Sequence, residues 1–199
     1  MDKNFISEKA SIGENFSIGM FCNIEDGVII GNNVTLKGYC TIGKGTVLGD
    51  GCTIEEFTKI GAHSSIGEQT FVGTYSKIGD DAKVGSHVRM TSYCEIRSNC
   101  VVGDYSTFGS RCTLSAGTIV EDHVIVKYGF VATDTPVLGV SEKKTCVLKS
   151  RSKYGANVTI MPAITIGINS EIGSCSQVRN DVGDNEVWYG NPAKFFRKC

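Results

Sequence analysis

The sequence predicts an all-β protein, a parallel β-helix of hexapeptide repeats with three short strands per coil. Three observations carry that reading. Stepping by six from Ile6, every position is apolar for 21 consecutive steps, ending at Val126. Residues that tolerate positive φ recur three places after these lead positions. The aromatics Phe21, Tyr39, Phe57, Tyr75 and Tyr93 are each 18 residues apart, which is three hexapeptides.

A six-residue period matches neither helix nor simple strand alternation, and it fits short strands joined by tight turns. The residue after the lead position is Gly in twelve of the 21 units. The turn places hold Asn15, Gly27, Asn33, Gly45, Gly51, Asp81, Asn99, Gly117 and Gly129, as a type II turn requires. Four places after the lead comes a small or apolar residue. Six of the nine cysteines (Cys22, Cys40, Cys52, Cys94, Cys100 and Cys112) occupy that slot. They read as reduced interior residues, since no C-x-x-C pair or zinc-finger spacing is present. Proline is absent before residue 136, as expected where backbone N–H groups join a ladder. The 18-residue aromatic spacing makes each coil a triangle and stacks the five rings on one edge.

The beat stops after Val131 and resumes at Leu148, Tyr154, Ile160, Ile166, Ile172 and Val178. One domain is expected: an uninterrupted helix over 6–131, a loop over 132–147, final coils over 148–183 and a tail over 184–199. That makes about nine coils, a prism roughly 40 Å long. The tail is expected to leave the repeat through its Gly-Asn-Pro turn.

Composition narrows the function classes. Lys and Arg total 20 against 21 Asp and Glu, a net charge of −1. That balance gives no footprint for nucleic acid or an anionic membrane. The start, MDKNFISEKA, lacks the apolar core of a signal peptide, so a cytoplasmic protein is expected.

The C-terminal third carries the motifs "YGANVTIMPAITIG" and "GSCSQVRNDVGDNEVWYGNPAKFFRK". With the repeat, they resemble the hexapeptide-repeat acyltransferases, and most nearly the N-acetyltransferases of nucleotide-linked amino sugars. The resemblance implies a left-handed helix and a homotrimer, with acetyl-CoA in the groove between adjacent prisms and no metal. It also implies that Met161 and Ala163 line the pantetheine. Gly190, Asn191, Pro192, Ala193 and Lys194 would approach the adenine end, with Lys194 and Arg197 meeting phosphates. Alternatively the tail only seals the last coil.

Acetyl transfer to an amine needs a group that takes or holds a proton. All three histidines, His63, His87 and His123, stand at turn places, where His is enriched at positive φ. His123 is the candidate base, being nearest the break, with Glu121 or Asp122 available to orient it. A turn role accounts for it equally. His87 lies two coils away on the same edge with Tyr105 between. The γ-type carbonic anhydrases use such a pair plus a third histidine, but Tyr128 stands at that third place and leaves a poor zinc site. By resemblance Asp134 contacts the sugar, where relatives often have Asn, and a carboxylate there suits an ammonium. Otherwise it fixes the turn before Pro136. Lys143 and Lys144, in the charged loop beside Glu142, are the candidate contacts to a nucleotide diphosphate. Sugar O-acetylation is the nearest alternative function; a non-catalytic scaffold and a metalloenzyme are more remote.

Overall fold

The computed structural model describes residues 3–137, 139 and 141–199. Leu138 and Val140 of the expected loop lie outside the described residues, as do Met1 and Asp2. The chain winds as a left-handed parallel β-helix with three flat faces. Among the described residues, face 1 contains ten strands, from Phe5–Ile6 to Gln177–Val178. Face 2 contains nine, from Ser11–Ile12 to Thr165–Ile166. Face 3 contains eleven, from Ser17–Ile18 to a terminal pair, Glu186–Gly190 and Ala193–Lys198. Ten coils thus stack where about nine were expected.

Each lead residue points inward. From Ile24 to Val178 none is more than 3% exposed. Where the slot four places on holds Thr, Ser or Cys between Cys22 and Cys112, the side chain also donates a hydrogen bond. Thr46 Oγ1 donates to the Gly61 carbonyl at 2.7 Å, Ser64 Oγ to Gly79 at 2.8 Å and Cys52 Sγ to Gly67 at 3.0 Å. Cys40, Cys94, Cys100 and Cys112 repeat the bond at 3.0–3.2 Å. Each donor reaches a carbonyl near the corner of the next coil, a bond that Cys, Ser and Thr can make and the Val or Ala of other coils cannot. All nine thiols are free, and burial pushes Cys40 up to about 12 and Cys100 to about 11.

The corners take left-handed conformation residue after residue, with φ of +54° to +75° from Asn15 to Gly129. The glycine after the lead answers to crowding: a Cβ on Gly79 would lie 2.4 Å from the backbone N of Ser98 in the next coil. The aromatic ladder forms as expected on the edge between faces 3 and 1. Its ring centroids are 4.7–5.2 Å apart, with Lys3 over the lower end and Arg111 over the upper. The ring faces cover one another, so only their edges meet solvent.

The structure departs from the sequence reading in three places. Ala132 is a 22nd lead residue, fully buried and paired with Leu114 and Ile160. Its small side chain accompanies the two largest core rings nearby, Phe130 and Tyr154, which meet edge to face at 5.0 Å. The loop therefore spans 133–146, between the strands Val131–Ala132 and Val147–Leu148. Register survives it: Val101 pairs with Ile119, and Ile119 with Val147, so the extra chain is wholly extruded. Lastly, the tail does not leave the repeat. Val187 and Trp188 pair in parallel with Glu171 and Ile172, and 193–198 folds back antiparallel on the outside.

Candidate active site on the loop edge

The loop leaves the prism at the edge between faces 1 and 2. Asp134 stands at its root, 6% exposed. Its Oδ2 accepts a hydrogen bond from Lys143 Nζ at 2.8 Å, and its Oδ1 one from Thr135 Oγ1 at 3.0 Å. The backbone N–H of Lys144 donates to the Asp134 carbonyl at 2.8 Å. The outgoing and returning limbs are thereby clasped together. Burial alone would push the Asp134 carboxyl up. The Lys143 and Thr135 hydrogen bonds, with the charges of Lys143 and Arg97, outweigh it and hold the carboxyl below its ordinary range. Lys144 turns outward instead and lies 3.6 Å from Glu142.

One coil higher, Met161 and Ala163 occupy the same edge. Met161 packs partly against the core, and its carbonyl accepts a bond from Cys146 Sγ at 3.2 Å. Ala163 is the corner residue, at φ +65°. The Val131↔Thr159 and Ala132↔Ile160 register brings these two directly over the loop root. Asp134, Lys143, Met161 and Ala163 therefore share one edge.

His123 does not. It is the corner residue between faces 2 and 3, with φ +60°. Its imidazole stacks on Tyr105 at 5.0 Å and 7°, and His87 covers the other face of that phenol at 4.7 Å and 9°. The expected orienting carboxylates are engaged elsewhere. Glu121 accepts from the Ser150 N–H and hydroxyl, and Asp122 from the Asp104 N–H. Stacking, rather than a carboxylate, orients the ring. His87 and His123 lie on opposite sides of Tyr105, and among the described residues no group of three His, Cys, Asp or Glu is placed to hold a metal. His63 is a corner residue of the loop edge at φ +56°, several coils below.

The tail candidates occupy a third place. Gly190 donates its N–H to Ser176 Oγ, and Ala193 is buried, so the Gly-Asn-Pro turn sits against the edge between faces 3 and 1. Lys194 and Arg197 are exposed on the outermost strand of face 3. Beside this hairpin, face 3 carries a shallow, largely apolar groove of about 430 Å³ that includes Ile125, Tyr154 and Val187. The chain thus displays its candidate residues on three separate edges. Arg97 and Thr135 are not singled out by the sequence. Arg97 acts on Asp134 from another coil, and Thr135 has the character of any turn residue ahead of a proline.

This architecture defines a hexapeptide-repeat β-helix protein. The bacterial transferase hexapeptide (six repeats) family model matches residues 9–44 and 39–74. A galactoside O-acetyltransferase of Lactococcus lactis subsp. lactis (strain IL1403) is 35% identical over 68 residues, 34% of this chain. The match spans only 33% of that relative. Among solved structures, an Arabidopsis UDP-N-acetylglucosamine acyltransferase superposes with a TM-score of 0.76 at 19% identity, over 98% of this chain and 73% of its own. A second UDP-N-acetylglucosamine acyltransferase gives 0.66 at 21% identity, over 98% and 72%. At such identities the structural likeness speaks for the fold. Among the described residues no helix is long and apolar enough to cross a membrane.

Proposed function

We propose that the protein is an acetyl-CoA-dependent acetyltransferase acting in the cytoplasm on the amine of a nucleotide-linked sugar. One observation carries the reading: the Asp134 carboxylate, directly below Met161 and Ala163, already holds an ammonium, that of Lys143, at 2.8 Å. A substrate amine entering there would take the place of the Lys143 ammonium on this carboxylate, beside the coil that by resemblance lines the pantetheine. In direct transfer the neutral amine adds to the thioester carbonyl, the tetrahedral intermediate breaks its C–S bond to release coenzyme A as thiolate, and the nitrogen gives up a proton that the thiolate finally takes. Asp134 holds the nitrogen, and the His123 imidazole takes the proton.

Within one chain the two residues stand at opposite ends of face 2, so the reading requires a second copy. In the homotrimer that the resemblance implies, the His123 edge of one subunit faces the loop edge of the next. The same packing lets the tail of a neighbour, with Lys194 and Arg197, approach coenzyme A phosphates.

Mass spectrometry of nucleotide-linked amino sugars incubated with acetyl-CoA and the protein tests the proposal. A mass gain of one acetyl group on at least one amine supports it. No acetylation across a panel varied in nucleotide and amine position, together with no thermal shift in millimolar coenzyme A, would favour a non-catalytic scaffold.

O-Acetylation is the second reading, favoured by the similarity to a galactoside O-acetyltransferase. A hydroxyl nucleophile needs more base catalysis than a deprotonated amine. Near-total loss of activity in His123→Ala would favour the hydroxyl, and a modest loss the amine.

A further inference from the structure

Directly below the loop root, the same edge bears a trough of about 380 Å³. Gly61 and Gly79, which follow the face 1 leads Ile60 and Ile78, line its floor beside Asp80. Lys59 and Lys77 form one wall, and Arg97 closes the upper end. Ser98 and Ala116 line the far side and point the way to Asp134. The Leu114↔Ala132 register puts Asp134 one coil above Ala116, two above Ser98 and three above Asp80. Arg97 is near enough for its charge to act on the Asp134 carboxylate.

The charge arrangement is costly for an empty surface. Lys59 and Lys77 are register partners, like charges only one strand spacing apart. Lys77 and Arg97 share a single carboxylate oxygen of Glu95, at 3.5 and 3.7 Å. Asp80 is already committed, accepting the Ala62 N–H at 2.9 Å. Three cations therefore line a channel whose carboxylates neutralise only part of their charge.

We infer that this trough holds the nucleoside diphosphate half of the acceptor, with Arg97 and Lys77 meeting the phosphates. The inference rests on the proposed transfer to a nucleotide-linked amino sugar. With the amine at Asp134, a sugar laid along the edge would direct its anomeric oxygen down toward Arg97. Arg97 lies about 10 Å below Asp134 and Lys77 about 14 Å, by strand spacing. That order suits a sugar followed by two phosphates. The nucleoside then lies along the trough toward Lys59. A guanidinium is the better of the two cations for bidentate phosphate contact.

Calorimetric titration with uridine diphosphate and with thymidine diphosphate tests the site without any turnover. Wild-type protein should bind at least one of them, and Arg97→Ala and Lys77→Ala should each weaken that binding about tenfold or more. Both side chains are on the surface, and a thermal melt checks that each variant folds. In turnover, the same variants should raise KM for the nucleotide-linked sugar without raising KM for acetyl-CoA. Failure of both diphosphates to bind wild-type protein, or equal binding by both variants, overturns the inference. If amino sugars are acetylated with kinetics indifferent to Arg97 and Lys77, the trough is wrong and the acetyltransferase reading stands. If diphosphate binding is lost in Arg97→Ala but no amino sugar is acetylated, the trough stands and the reaction is wrong.

Discussion

Lys143 sets its ammonium 2.8 Å from Asp134 and so joins the two limbs of the loop at its root. Because the folded-state carboxyl is held below its ordinary value, the clasp stabilises the loop above about pH 4 and is lost as pH falls through the folded value. The Lys144 amide, which donates to the Asp134 carbonyl, reports it. Its hydrogen-exchange protection, corrected for intrinsic rate, should be level from pH 7 to pH 5 and fall below pH 4. Lys143→Met should lower the protection at neutral pH and flatten the acid step. Protection that stays level to pH 3 in the wild type would contradict the clasp.

The interior donor slot makes a second prediction. Cys52→Ser keeps a donor for the Gly67 carbonyl and should change stability little, whereas Cys52→Ala orphans it and should cost about 1–3 kcal/mol. Urea unfolding measures both. Under native conditions an alkylating reagent should add to Cys175 and Cys199, the two exposed thiols, and leave the seven buried ones intact. Native labelling of Cys40 or Cys100 would show that the interior opens far more readily than this packing allows.

Tyr75 tests the aromatic edge. It stacks between Phe57 at 4.7 Å and Tyr93 at 5.2 Å, so Tyr75→Ala removes two ring contacts, about 1–3 kcal/mol. Tyr75→Phe should be nearly neutral. If Tyr75→Ala melts as the wild type does but sediments as a smaller species, the ladder is a subunit contact rather than a stiffener.

Much of this was open to reading because a β-helix writes its geometry into a fixed interval. The corners, the buried leads and the 18-residue ladder all follow from counting. Nearness along the chain misleads for His123: it precedes the break by only nine residues, yet it and Asp134 fall on different corners of the triangle. What escaped had lost the interval. Ala132 carries too small a side chain to stand out as a lead residue. Val182, four places after Val178 instead of six, still bridges Ile166 and keeps the chain on the helix. The Asp134–Lys143 clasp joins residues nine apart inside the loop, where no period relates one limb to the other.

The central claim is that acetyl transfer occurs between copies, with Asp134 from one chain and His123 from the next. Co-expressing His123→Ala and Asp134→Ala chains and assaying acetyl transfer to the amino-sugar acceptor tests it most directly. Each variant alone should have reduced activity. Mixed trimers should recover sites that pair an intact edge from each chain, giving roughly a quarter of wild-type activity when assembly is random. Mixed assemblies no more active than the average of the two variants, despite proven subunit mixing, would contradict it.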